Sequence, residues 1–199
     1  MKEELSFNDQ LRINELKQRI KIGFLAEPIY RQARKLARLL YNQGYLGDVI
    51  DKDLLTGLYN RNFYEEWIDK VASQAKRSEV DLVLVSIDVD GLKKMNDSLG
   101  HAAGDRMIKN LAKIIVGSIR WSDMVIRMGG DEFLIVFWNG KMEGIKEKME
   151  KIVEKAGKQE IAFSYGLAVA KKGKAVKKRQ MEADAEMYLM KKELGRGRE

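Results

Sequence analysis

RMGGDEFLIVF, Arg127 to Phe137, sets two glycines before two adjacent carboxylates, and those carboxylates open a run of apolar residues. The run reads as a buried strand. A lone carboxylate at its mouth is costly to bury and calls for a cationic partner or neutralisation. Just upstream, DMVIRM at Asp123–Met128 reads as a second strand, so Gly129 and Gly130 become the turn of a hairpin. Glycine tolerates positive φ and lets a ligand approach the backbone closely, which suits that turn. Taken alone, Gly-Gly-Asp is an ordinary hairpin turn.

Outward from the hairpin the signals alternate. NRNFYEEWIDKVASQAKR predicts a helix from about Asn60 to Arg77, and DLVLVSID, Asp81–Asp88, a short buried strand. A helix is predicted from His101 to about Ile119, and another follows the hairpin at Glu143–Ala156. The strand EIAFSYGLAVA at Glu160–Ala170 and a last helix from about Lys178 to Leu194 complete the chain. The order is β-α-β-β-α-β with flanking helices: an α+β fold with an antiparallel sheet of ferredoxin-like or polymerase-palm-like character. Right-handed crossovers then put Asp81–Asp88 beside EFLIVFW and antiparallel to it. Asp88, Asp131 and Glu132 are therefore expected to converge at one sheet edge.

Three carboxylates with no cysteine in the chain and no histidine beside them suit hard cations, Mg²⁺ or Mn²⁺. Two such ions can activate a hydroxyl and stabilise a leaving pyrophosphate. After Asp88 comes VDGLKKMNDSLGHAAGD, in which Asn96, His101 and Asp105 bracket a short helix and the start of a longer one. An Asn amide can donate to guanine O6 or N7 while a carboxylate accepts from N1–H and N2–H. Helix starts also offer free N–H groups to phosphates. The ordinary alternatives are that Asp90 caps the helix beginning at Gly91 and His101 caps the next.

These residues resemble the GGDEF-domain diguanylate cyclases. GGDEF at Gly129–Phe133 is that family's signature, and DLLTGLYNR at Asp53–Arg61 resembles its entry motif. DVDGLKKMNDSLGHAAGD at Asp88–Asp105, SYGLAVA at Ser164–Ala170 and ADAEMYLMKK at Ala183–Lys192 resemble its remaining blocks, in order. The resemblance implies a nucleotide-cyclase-like fold and condensation of two GTP into cyclic di-GMP with release of pyrophosphate. It implies that Asp88, the Val89 carbonyl, Asp131 and Glu132 hold the metal, with Asp131 assisting deprotonation of the attacking 3′-hydroxyl and Glu132 also serving catalysis. Asn96 and Asp105 would recognise guanine, with His101 near the ribose and Leu92, Lys93 and Gly129 along the substrate site. Lys191 would reach the terminal phosphates, helped by Arg196. The chain departs from the family at Leu92, where phenylalanine is usual, and between Lys191 and Gly195, where it is one residue longer. RWSD, Arg120–Asp123, resembles the family's R-x-x-D inhibitory site, where Arg120 and Asp123 would bind product. A non-catalytic cyclic di-GMP receptor and a dimerisation module are the competing readings.

The bulk composition agrees with a globular domain. The chain has 199 residues, 45% of them hydrophobic and 34% charged, and no run approaches the roughly 18 apolar residues that span a bilayer. The opening MKEELSFNDQ lacks the apolar core of a signal peptide, so a cytoplasmic protein is expected. The formal charge of +7 is concentrated partly in KKGKAVKKR, Lys171–Arg179, which reads as a solvated segment rather than a nucleic-acid surface. Residues 1–52 read as an N-terminal helical segment, with apolar spacing at Leu11, Leu16 and Ile20 and again at Leu36 and Leu40. That segment is expected to serve a homodimer, and residues 53–199 to form the catalytic domain.

Overall fold

The computed structural model describes residues 51–196, so the expected helices around Leu11–Ile20 and Leu36–Leu40 lie outside the described residues. Five strands and five helices follow: β1 Tyr59–Asn60, α1 Arg61–Arg77, β2 Leu82–Val89, α2 Leu92–Leu99, α3 His101–Val116, β3 Met124–Arg127, β4 Glu132–Trp138, α4 Met142–Gly157, β5 Phe163–Ala170 and α5 Val176–Glu193. The sheet order is β1-β3-β4-β2-β5. β2 lies between β4 and β5 and runs antiparallel to both; its pairing with β4 is the one the crossover rule required.

Every residue of β2 is buried, because helices cover both faces of the sheet. Val83, Val85, Ile87 and Val89 pack with Met107, Ile108 and Leu111 of α3 and with Ile145, Met149 and Ile152 of α4. Leu82 and Leu84 point the other way, into a cluster with Tyr64 and Ile68 of α1 and Val176 of α5. The period-two alternation of a strand assigns these two sets. It also fixes where the polar residues of β2 go: Ser86 and Asp88 share the α1/α5 face with Leu84.

The sheet is mixed rather than purely antiparallel. β1 pairs parallel to β3, Tyr59 opposite Ile126 and Asn60 opposite Arg127. Two residues are too short for any apolar period to announce, and Asn60 reads instead as the start of a helix. It is the N-cap: its side chain accepts from Phe63 N at 3.0 Å, which ends β1 and opens α1. The preceding turn is closed by Asp53, which accepts from Gly57 N at 2.8 Å, with Gly57 at φ +72°.

α5 reaches the sheet closely at one point. A Cβ on Gly166 of β5 would lie 2.2 Å from the Ala183 carbonyl oxygen and 2.3 Å from Met187 N. Only glycine admits the helix there, and this contact sets how the last two turns of α5 approach the end of β2.

Candidate active site

The strand register supplies the first part of the site. Asp88 and Glu132 are direct Cα partners across β2 and β4, and Val89 N donates to the Asp131 carbonyl at 3.0 Å. Beyond Val89 the chain turns to the other neighbour, and Asp90 N donates to the Ala162 carbonyl at 3.0 Å. The carboxyl-bearing end of β2 thus opens between the hairpin and the start of β5.

The cationic partner demanded by these carboxylates is supplied by α5. Lys191 Nζ donates to Asp88 Oδ1 at 2.5 Å, and the two side chains are each only 11% exposed. Asp88 is nevertheless held above the ordinary carboxylate range. Burial is the main cause; Lys191 opposes it, and the neighbouring charges of Asp131 and Asp90 add to it. A second pairing lies beside the first. Arg196 Nη1 stands 3.2 Å from Asp90 Oδ2 and 3.4 Å from the Phe163 carbonyl, while Ser164 Oγ lies 3.1 Å from Asp90 Oδ1. Asp90 does not cap α2, whose N-cap is Gly91 without a side-chain bond, because Ser164 and Arg196 engage its carboxylate. Likewise Gly100, not His101, is the N-cap of α3, and His101 is its exposed first residue.

The three acids expected to form a metal cluster meet only in part. Among the described residues no group of three or more His, Cys, Asp or Glu side chains is gathered closely enough to hold a metal ion. Asp88 turns to Lys191, while Glu132 folds back over the turn, its Oε2 3.0 Å from where a Cβ on Gly129 would lie. Gly129 therefore matters for space. Neither it nor Gly130 has positive φ, contrary to the expectation from the turn sequence. As donors the residues suit a hard divalent cation: all are oxygens, and the charges of Asp131 and Asp90 both act on the buried Asp88 carboxylate.

The hairpin itself is held from beneath. Arg127 Nε and Nη2 donate to the carbonyls of Gly129 and Gly130 at 3.1 and 2.7 Å, while Nη1 lies 3.0 Å from Asp53 Oδ1. Neither residue was among the candidates read from the sequence. Their opposite charges, 74 positions apart, carry no local signal.

The base-reading candidates come from α2 and α3. Asn96 is half-buried on α2, with its Oδ1 against Gly104 of α3, one residue before the exposed Asp105. Leu92 is half-buried in the same contact and Lys93 is exposed.

Arg120 and Asp123 stand at the opposite end of the hairpin strands. Asp123 Oδ2 accepts from Arg120 N at 2.9 Å and Oδ1 from Trp138 N at 3.2 Å, so this carboxylate ties the turn to the end of β4. Both residues border a cleft of about 340 Å³ shared with Asn139, Gly144 and Lys148. Trp138 and Glu132 are the two ends of β4, which puts this cleft about 20 Å from the catalytic candidates.

Residues 50–197 match the family model described as "Diguanylate cyclase, GGDEF domain". The chain is 35% identical over 143 residues to the probable diguanylate cyclase DgcJ of Escherichia coli K12, covering 70% of this chain and 29% of that protein. It is 33% identical over 132 residues to the diguanylate cyclase DgcS of Shewanella oneidensis, covering 66% and 44% respectively. The chain thus spans less than half the length of these curated relatives. Among solved structures, the GGDEF domain of DgcB from Caulobacter crescentus, in complex with c-di-GMP, superposes with a TM-score of 0.68 at 26% identity, covering 73% of this chain and 89% of that one. A microbial GGDEF domain studied with cyclic di-GMP gives 0.69 at 31% identity, covering 74% and 94%.

Proposed function

Since the chain belongs to the diguanylate cyclase GGDEF-domain family, we propose that it condenses two molecules of GTP into cyclic di-GMP. The observation that carries this reading is the register that sets Asp88 against the Asp131–Glu132 hairpin, with Lys191 on the same carboxylate. In each half-reaction a 3′-hydroxyl oxygen bonds to the α-phosphorus of the other GTP, and the bond from that phosphorus to pyrophosphate breaks. Asp131 accepts the hydroxyl proton. Asn96 and Asp105 hold the guanine, and Leu92, Lys93 and His101 line the nucleotide's path. Lys191 and Arg196 exchange their pairings with Asp88 and Asp90 for the triphosphate oxygens, so the negative end of the substrate meets cations that the fold already holds at the site.

Asp88, the Val89 carbonyl, Asp131 and Glu132 are the residues that would hold Mg²⁺ or Mn²⁺. When bound, such an ion supplies positive charge for the triphosphate and lowers the pKa of the attacking hydroxyl.

One such site holds one GTP, so the product needs two sites facing each other. A two-fold homodimer supplies both with matched geometry. We assign residues 1–52 to that assembly and residues 53–199 to catalysis. Arg120 and Asp123 form the product site for feedback, the exposed guanidinium taking the Hoogsteen edge of a guanine. Among the described residues no helix is long and apolar enough to cross a membrane. Incubation of the protein with GTP and Mg²⁺, followed by chromatography, tests the reading: cyclic di-GMP and pyrophosphate should accumulate. Tight binding of cyclic di-GMP with no turnover would support the receptor reading in its place.

A further inference from the structure

Asn96 Oδ1 is sealed from solvent and has no hydrogen-bond partner among the described residues. It faces Gly104. A Cβ built on Gly104 would lie 2.0 Å from Asn96 Oδ1, 3.0 Å from Asn96 Cγ and 3.0 Å from Leu92 Cδ1. Gly104 sits inside α3 with no positive φ, so its backbone conformation is open to any residue. Alanine would favour the helix more than glycine does. Conformation does not call for glycine here; the space does.

We propose that Gly104 is a positioning residue that sets guanine specificity by fixing the flip of the Asn96 amide. This rests on the reading of Asn96 and Asp105 as the base contacts. The missing side chain leaves a slot that takes the amide oxygen, with only the Gly104 Cα–H, a weak donor, facing it. The accessible end of the half-buried amide is then Nδ2, a donor and nothing else. Asp105, the next residue of α3, is exposed and offers acceptors. A donor beside an acceptor matches guanine, which presents O6 and N7 next to N1–H and N2–H. An amide free to turn would present its oxygen as readily, and that oxygen accepts from the exocyclic amine of adenine. The slot removes that option.

The test is a double-mutant cycle with Gly104→Ala, Asn96→Ser and the pair, read by equilibrium binding of non-hydrolysable GTP and ATP analogues and by thermal melting. Gly104→Ala should weaken binding of the GTP analogue about tenfold, the loss of one hydrogen bond, and narrow the preference over the ATP analogue. Its melting temperature should be unchanged or higher. In the Asn96→Ser background, where the shorter side chain no longer meets a Cβ, Gly104→Ala should add nothing to the affinity loss. Wild-type affinity and base preference in Gly104→Ala would overturn the proposal. So would the same loss from Gly104→Ala in both backgrounds, which would trace to Leu92 or to helix packing. If Asn96→Ser itself binds normally, the base contact assigned to Asn96 fails and the slot's role with it, while cyclic di-GMP synthesis by the wild type still stands.

Discussion

Arg127 joins Asp53 to the β3–β4 hairpin: its Nη1 lies 3.0 Å from the Asp53 carboxylate while Nε and Nη2 hold the carbonyls of Gly129 and Gly130. One guanidinium thus fastens the turn before β1 to the turn before β4. A planar fork with several donors can do this, and an ammonium cannot. The carboxylates of Asp131 and Glu132 follow directly on the two clamped carbonyls.

Arg127→Ala should therefore damage the site more than the fold. The pair is partly exposed, at 13% and 23%, so a stability loss of about 1–3 kcal/mol is expected. Cyclic di-GMP synthesis should fall by about tenfold or more, because a displacement of 1 Å at the hairpin is costly. Arg127→Lys should recover much of the stability and little of the activity. Denaturant unfolding and turnover assays separate the two effects, and a lysine variant with wild-type activity would reject the clamp.

Asp53 carries a pH signature. Burial raises its pKa, but hydrogen bonds from Thr56 and Arg127 outweigh burial and hold it below the ordinary 3.8. A depressed carboxylate stabilises the fold above the unfolded value and loses that contribution as pH falls through it towards the folded one. Comparing wild type with Asp53→Asn by urea unfolding, the stability difference should be constant at neutral pH and shrink once pH drops below 3.8. An equal difference on both sides of that value would contradict this account.

Asp131→Asn and Asp88→Asn should each lower turnover by about two to three orders of magnitude or more, with the fold intact. The amide oxygen of an Asn at position 88 still accepts from Lys191, so that cation is not stranded. Circular dichroism should be unchanged, and near-normal product formation by either variant would remove that residue from the catalytic set.

Arg120→Ala should relieve product inhibition and reduce the cyclic di-GMP that co-purifies, leaving basal turnover unchanged. Its guanidinium is exposed, and the turn is held by its backbone N–H on Asp123, which the substitution keeps. Asp123→Ala is expected to behave differently. It also releases Trp138 N, so it should cost stability as well as inhibition. Identical inhibition constants for Arg120→Ala and wild type would leave this turn a purely structural element.

The proposed two-fold assembly implies a specific activity that depends on concentration. A chain beginning at Lys52 should still bind GTP but lose specific activity steeply on dilution, whereas the full chain should resist dilution. Light scattering over the same range gives the assembly state, and monomeric, concentration-independent activity in both would exclude a dimeric mechanism.

The apolar runs alone located the two strands that carry the acids: EFLIVFW is β4 residue for residue, and DLVLVSID is β2 to within one residue at each end. Period and turn chemistry encode which face of a segment is buried, and the rule of strand order then brought Asp88 beside Glu132. The partners of those acids were another matter. Lys191 reaches Asp88 across 103 positions because α5 docks against Gly166, and Arg196 meets Asp90 where the chain leaves that helix. The two-residue β1, the Arg127 clamp and the slot at Gly104 are of the same kind. Each depends on how closely two distant elements approach, a distance set by the packing of the whole core, and no local pattern of residue types carries it.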